Sequence, residues 1–331
     1  MKRIIFSTTP LSSALGSRLQ KSANDTLEIL EGNELSQEIA RDVEVLLVSD
    51  TKWLNKVNFE QMKNLRLVQT LSAGVDTIDF EKIPREILVC GNVGAFSEQI
   101  AEHVFGMILC LARNIVLREE DLKRSVFNQS QGIFLKGKTI GIIGTGGIGQ
   151  AVARLAKAFG MVTLGINSSG RNAEFFDRTD GIGGLNRLLS QSDMIVIATP
   201  LTVNTENLIN DSNIGLTKVN CILINVGRGP IVNEKTLYDH LRSNPSFKAG
   251  FDVWWKYPTP GKPFAQDFPF LDLPNFLGSP HNADAVPESH DLAIGNAVRN
   301  IERYLKREPL KGLTKKEEYK GLKSPLLTNQ E

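Results

Sequence analysis

The chain has 331 residues, 41% hydrophobic and 23% charged, with 38 Lys+Arg against 37 Asp+Glu for a net charge of +1. That length supports two domains, each able to bury its own core. The charge balance excludes the electrostatic footprint of a nucleic-acid or anionic-membrane binder, so no nucleic acid and no membrane is expected as a partner.

Cys90, Cys110 and Cys221 are odd in number, far apart and set among apolar residues. This predicts buried thiols in a reducing compartment. The opening M-K-R-I-I-F-S-T-T-P has too short an apolar run for a signal sequence, and no stretch approaches the ~20 apolar residues of a spanning helix. The expected location is the cytoplasm.

In chain order, Lys2–Ser7, Val43–Ser49, Leu65–Ser72 and Ile87–Gly91 read as strands separated by helical or polar segments. A long helix is predicted over 97–125, capped by Ser97, with Ile100, Val104, Ile108 and Leu111 on one stripe. A second β/α series follows: strands Thr139–Ile143, Met161–Ile166, Met194–Ala198, Cys221–Asn225 and Lys248–Phe251, with helices at Gly147–Phe159 and Glu234–Arg242. A final helix spans Val286–Arg307, and the polar tail after it reads as loosely ordered. Alternation of this kind defines an α/β fold of parallel sheets flanked by helices.

The strongest local signal is T-I-G-I-I-G-T-G-G-I-G-Q, residues 139–150, with G-x-G-x-x-G at Gly144, Gly146 and Gly149. A strand precedes it and a helical stripe follows, which is the context a dinucleotide fingerprint needs. Gly144 would permit the tight turn, Gly146 the approach of a pyrophosphate, and Gly149 close packing of helix on strand. The amides of Gly147 and Ile148 would then face the phosphates. In an NAD site the second strand ends in a carboxylate that bonds the ribose 2′-hydroxyl. Here it ends in Asn167-Ser168-Ser169-Gly170-Arg171. Hydroxyls and a guanidinium suit a 2′-phosphate, so NADP(H) is the expected cofactor, with NAD as the alternative.

Arg228, in I-N-V-G-R-G-P-I-V, and His281, in G-S-P-H-N-A-D, fall in loops after strand-like runs. In a doubly wound sheet such loops lie at the ligand-binding edge. An arginine can hold a carboxylate and polarise a carbonyl, and a histidine can exchange the proton, which suits a small keto acid.

From about Leu65 to Arg307 the chain resembles the D-isomer-specific 2-hydroxyacid dehydrogenases. L-S-A-G-V-D-T-I-D (71–79) is similar to the family's substrate-carboxylate loop, which implies that role for the amides of Ala73 and Gly74. Q-I-A-E-H (99–103) resembles the start of the interdomain helix, and A-T-P-L-T-V-N-T (198–205) the cofactor-lining loop with Pro200 and Thr205. N-V-G-R-G carries Val226 toward the cofactor and the family arginine at Arg228, S-P-H carries its histidine at His281, and Asp252 takes the position that holds the nicotinamide carboxamide. The resemblance implies two Rossmann-like domains with the active site in the interdomain cleft. The substrate domain would be discontinuous, 1–98 and 286–331, around a dinucleotide-binding domain at 99–285. It also implies a homodimer through the second domain, and a D-2-hydroxyacid dehydrogenase or 2-oxoacid reductase of the glyoxylate/hydroxypyruvate type.

One stretch departs from the pattern. In D-V-W-W-K-Y-P (252–258), aligning the proline puts Tyr257 where most of the family has the glutamate that partners the histidine. A carboxylate there would stabilise the imidazolium, whereas a phenol only orients the ring. The formate dehydrogenase branch, which D-V-W resembles, carries a neutral glutamine at that place. Three arrangements are open: Tyr257 as a neutral partner of His281, a carboxylate from Asp284 or Glu288, or a damaged relay in a weak enzyme or nucleotide-binding regulator. Trp254 is expected to pack beneath its loop, and Trp255 either to do the same or to wall the substrate pocket. His103, His240 and His290 show no metal-ligand spacing and read as surface or capping residues.

Overall fold

The computed structural model describes residues 3–23, 26–258 and 261–326. Lys2, at the head of the first predicted strand, and the last residues of the tail lie outside them. The chain divides into two compact units. One comprises 1–96 with 286–322, and the other 97–285 with the residues from Lys323.

The first unit is a five-stranded parallel sheet of β1 (Arg3–Ser7), β2 (Leu27–Glu31), β3 (Val43–Val48), β4 (Leu67–Thr70) and β5 (Leu88–Cys90), in the order β2-β1-β3-β4-β5. Helices α1 (Ser13–Ser22) and α2 (Gln37–Ala40) connect the first three strands. Strand periodicity sends Val45 and Leu47 into the core beside Leu19 of α1, and Leu46 and Val48 into the core on the other face; Val43 joins the latter because the register with β1 shifts just after it. Both faces are therefore buried, as a parallel sheet requires.

The second unit begins with α3 (Ser97–Ala112) and α4 (Ile115–Lys123). It continues through β6 (Thr139–Ile143), α5 (Gly147–Ala158), β7 (Val162–Ile166), β8 (Arg178–Asp180) and α6 (Leu185–Gln191). Then come β9 (Met194–Ile197), β10 (Ile222–Asn225), α7 (Glu234–Ser243), β11 (Lys248–Phe251) and β12 (Phe276–Gly278). All seven strands are parallel, in the order β12-β11-β10-β9-β6-β7-β8. The chain runs outward from β6 to β8, then returns to the other side of β6 with β9. The crevice between β6 and β9 is thus the topological switch point, where such sheets take their ligands. Val104, Ile108 and Ala112 of α3 pack with Val152 and Ala156 of α5 over Ile140, Met194 and Ile222. Finally α8 (Ser289–Leu305) closes the first unit, its Ile294, Ala297, Val298 and Ile301 joining Ile5, Leu19 and Leu67.

Three expectations need correction. The helix predicted over 97–125 is two helices bent by 52°, broken where Asn114 takes a left-handed φ of 53°. Lys248 supplies the cause: its Nζ donates to Leu111 O at 2.7 Å and to Asn114 Oδ1, so the last carbonyls of α3 are capped rather than continued. The tail after α8 is not loose over its described length. Leu313 bridges Cys90, Lys316 Nζ donates to Pro84 O at 2.6 Å, the Tyr319 ring lies 5.3 Å from Phe80, and Ser324 is fully buried. Cys110 is half-buried, unlike Cys90 and Cys221. No single helix among the described residues is long and apolar enough to cross a membrane.

Burial pushes the Cys90 thiol up to about 11 and Cys221 higher still. A thiol-specific chromogen is therefore expected to titrate Cys110 first in the native protein, with the other two reacting only as the chain unfolds. Equal fast reaction of all three thiols would contradict this packing.

Candidate active site

Because every strand of the second sheet points the same way, the loops after β6, β7, β9, β10, β11 and β12 all leave its carboxyl edge. The loop after β6 is the glycine loop. Gly144 has φ 100°, and a Cβ there would sit 2.6 Å from Ala198 O across the switch point. A Cβ on Gly149 would sit 2.0 Å from Gly144 O, so only glycine lets α5 meet its own turn. At Gly146, by contrast, a Cβ would meet nothing within 4 Å. Sterics inside the protein thus explain two of the three glycines, and open space lies where the third would admit a diphosphate. Gly147 and Ile148 form the first turn of α5, whose N-cap, Gly146, has no side chain to cap it. The loop fits a dinucleotide.

After β7, the Asn167 side chain is engaged within its own turn. Its Nδ2 donates to Thr145 Oγ1 at 2.8 Å and Arg171 O at 3.0 Å, and its Oδ1 accepts from Ser169 N, Ser169 Oγ and Gly170 N. Asn167 therefore builds the turn that displays Ser168, Ser169 and Arg171, all three exposed. After β9, the Thr205 hydroxyl donates to Pro200 O at 2.7 Å and accepts from Thr202 N at 2.8 Å, so it braces its loop. In both turns the polar side chain braces its own loop.

After β10, Val226 is buried, and Asn225 holds the next turn: Gly227 N donates to its Oδ1 and its Nδ2 donates to Arg228 O. Arg228 is extended, with Nη1 donating to Gly227 O at 2.8 Å. A Cβ on Gly229 would lie 2.4 Å from the Trp254 carbonyl carbon. The arginine loop is therefore pressed directly against the Trp254–Trp255 peptide.

The two tryptophans answer to this arrangement. Trp254 is 4% exposed, and its Nε1 donates to Ser279 O at 2.9 Å, two residues before His281. Trp255 Nε1 donates to Val232 O at 2.7 Å, and its ring stacks between Phe251 and Phe270 at 5.3 and 5.0 Å. Trp255 is thus an aromatic-core residue rather than a pocket wall. One indole pins the histidine loop and the other pins the arginine loop.

Asp252, 2% exposed, ties the same loops from the strand end. Its Oδ1 accepts from Ser279 Oγ at 2.6 Å and Asn282 N at 3.0 Å, and its Oδ2 from Ala283 N at 3.1 Å. Oδ1 is saturated, while Oδ2 keeps acceptor capacity. His281, between these bonded residues, has φ 56°. Its ring centroid lies 5.3 Å from that of Tyr257, whose hydroxyl accepts from Trp254 N at 3.4 Å.

His103, read from sequence as a surface residue, belongs to this constellation. It projects from α3, and its Nε2 lies 3.0 Å from Ser279 Oγ and 3.7 Å from Asp252 Oδ1. No spacing signal could have shown this, because 176 residues separate His103 from Ser279. In the first unit, the loop carrying Ala73 and Gly74 follows β4, where the Ser72 hydroxyl donates to Gly74 O at 2.8 Å. Among the described residues no group of His, Cys, Asp and Glu could hold a metal ion.

The switch-point crevice and glycine loop define a dinucleotide-binding α/β protein, with an arginine and a histidine on adjoining loops. Comparison places it further. Residues 105–283 match the family model of the D-isomer specific 2-hydroxyacid dehydrogenase NAD binding domain. The chain is 32% identical over 289 residues to the D-3-phosphoglycerate dehydrogenase of Methanocaldococcus jannaschii, with 84% of this chain covered but 53% of that longer protein. It spans only about half the length of that relative. It is also 32% identical over 273 residues to the glyoxylate reductase of Korarchaeum cryptofilum, covering 80% of both chains. A solved D-isomer specific 2-hydroxyacid dehydrogenase family protein from Aeromonas salmonicida superposes with a TM-score of 0.76 at 30% identity, over 96% of this chain and all of that one. The chain belongs to the D-isomer-specific 2-hydroxyacid dehydrogenase family, whose members are NAD(P)-dependent oxidoreductases.

The glycine geometry separates two effects by mutation. Gly146→Ala should melt like the wild type without ligand yet bind a dinucleotide at least about tenfold more weakly, because its methyl group enters the open space. Gly229→Ala should lower unfolding stability by about 2–4 kcal/mol, because its Cβ meets backbone. Denaturant melts and fluorescence titration check both; equal melting of the two variants would contradict the assignment.

Proposed function

We propose that the protein is an NADP(H)-preferring reductase of a small 2-oxoacid, of the glyoxylate or hydroxypyruvate type, forming the D-2-hydroxyacid. The observation that carries this is the bracket of Asp252, Trp254 and Trp255, which fixes Arg228 and His281 together at the carboxyl edge that bears the glycine loop. The guanidinium of Arg228 holds the substrate carboxylate and polarises the carbonyl. The amides of Ala73 and Gly74 are assigned to the same carboxylate through the family resemblance. His281 delivers the proton to the carbonyl oxygen. When bound, the reduced nicotinamide supplies the hydride.

Gly144, Gly146, Gly147, Ile148 and Gly149 hold the diphosphate, and Pro200 and Val226 line the cofactor. Asp252 offers Oδ2 to the carboxamide. Ser168, Ser169 and Arg171 receive the 2′-phosphate; among the described residues no hydrogen bond or ion pair engages the Arg171 guanidinium, which leaves it available. We assign the domain roles as substrate domain, 1–98 and 286–331, and dinucleotide domain, 99–285. A homodimer is supported by the exposed apolar run Ile115, Val116, Leu122, Phe127 and Phe134, the last two 78% and 73% exposed. The location proposed is cytoplasmic.

A second reading is favoured by Tyr257, which puts a phenol where a carboxylate would support the histidine. It is a nucleotide-binding regulator of the same fold with weak or no turnover.

The test is NADPH and NADH oxidation with glyoxylate, hydroxypyruvate, pyruvate and phenylpyruvate. Reductase action predicts turnover faster with NADPH. Arg228→Ala should remove at least about 99% of it, the scale of a lost charge-assisted contact in the transition state, with cofactor affinity almost intact. Cofactor binding without turnover of any acid would favour the regulator.

Replacing Tyr257 by glutamate tests the partner of His281 directly. A carboxylate at that distance stabilises the imidazolium, the acid that reduction uses. The alkaline limb of kcat/KM for reduction should therefore move to higher pH in Tyr257→Glu. An unmoved limb would mean that residue 257 does not govern the proton donor.

A further inference from the structure

His103 lies outside the machinery assigned above, yet its Nε2 is 3.0 Å from Ser279 Oγ, which in turn is 2.6 Å from Asp252 Oδ1. Proton counting fixes the direction of this chain. Ser279 has one hydroxyl proton, and an ionised carboxylate oxygen can only accept, so that proton lies between Ser279 and Asp252. The remaining lone pairs of Ser279 Oγ then require a donor, and His103 Nε2–H supplies it. No other hydrogen bond engages the ring among the described residues, so the imidazole is committed to this one partner.

The consequence falls on Asp252. Its Oδ1 is held by Ser279 and Asn282, which leaves Oδ2, bonded to Ala283 N, as the oxygen with spare capacity. Without a donor at position 103, the Ser279 hydroxyl can turn its proton away and the carboxylate can rotate. Trp254 restrains Ser279 only through its backbone carbonyl, so it does not substitute for His103.

We propose that His103 is a positioning residue that, through Ser279, sets the orientation of Asp252 toward the nicotinamide end of a bound dinucleotide, an inference that rests on the role assigned to Asp252 above. Its effect is confined to that end of the ligand. The adenosine end is assigned to the loops after β6 and β7, and among the described residues no hydrogen bond joins those loops to His103, Ser279 or Asp252.

The experiment is calorimetric titration of the purified protein with NADPH or NADH, whichever it binds more tightly, and with the matching adenosine-end fragment, 2′,5′-ADP or ADP-ribose. His103→Phe keeps the ring volume without the donor and should raise the Kd of the dinucleotide about fivefold, the worth of one net hydrogen bond, with fragment affinity unchanged. Ser279→Ala should reproduce that loss, and the double variant should be no worse than either single one. His103→Gln, whose Nε2 can reach the same hydroxyl, should recover most of the affinity. Dinucleotide affinity unaltered in His103→Phe and Ser279→Ala would overturn the proposal. So would equal weakening of dinucleotide and fragment, which marks a purely structural role. Because no oxoacid enters the titration, a wild type that binds the dinucleotide but reduces nothing would overturn the reductase reading alone.

Discussion

The candidate site depends on one buried carboxylate. Asp252 ends β11 at the sheet edge and gathers Ser279, Asn282 and Ala283 onto its two oxygens. Those bonds flank His281, a non-glycine residue at φ 56°. Left-handed backbone at such a residue costs on the order of 1–3 kcal/mol. Amide donors to a charged acceptor contribute about 1.5–3 kcal/mol each, so the two from Asn282 and Ala283 are enough to hold the turn against its strain. The placement of the His281 imidazole is therefore a property of Asp252 as much as of His281.

The tryptophans extend that constraint from one loop to two. Trp254 and Trp255 are adjacent in sequence and their indoles serve different neighbours, Ser279 O on one side and Val232 O on the other. Their shared peptide lies so close to residue 229 that only glycine fits there. Gly278 has the same relation to the Trp254 ring, since a Cβ would come within 2.8 Å of it. Large rings and missing side chains are thus complementary in this region. The arginine and histidine loops cannot shift independently, because each leans on the same dipeptide. Rigid support of this kind is what a site needs when a carboxylate clamp and a proton donor must meet one small substrate.

Legibility in the sequence followed burial. Interior strands such as β3, β9 and β10 are wholly or almost wholly buried and read as apolar runs, interrupted in β3 only by Glu44 and closed in β10 by Asn225. The strands that escaped reading, β2 and β8, are both sheet edges, whereas the edges β5 and β12 carry apolar runs and were legible. Leu27–Glu31 carries two glutamates and Arg178–Asp180 is polar throughout, because an edge strand meets solvent and its pattern weakens accordingly. The break at Asn114 was invisible for another reason: its cause, Lys248, is 134 residues away. In the site, the glycine loop was legible because its constraints are local, within a single strand-turn-helix unit. The turn bonds of Asn167 and Thr205 were not legible, since side-chain type alone does not show which neighbours a polar group braces. His103 was missed because its partners come from the far end of the second unit.

Tyr257 is where sequence and structure meet on the open chemical point. The phenol does stand beside the imidazole, with ring centroids 5.3 Å apart and planes inclined at 50°, and its hydroxyl accepts from Trp254 N. It is thereby anchored to the same tryptophan that holds the histidine loop. A phenol orients the ring but withholds the charge that would stabilise an imidazolium. Tyr257 is tied to Trp254 N and His103 to Ser279 Oγ, so both groups reach the His281 loop through the two residues, Trp254 and Ser279, that already anchor it to the end of β11.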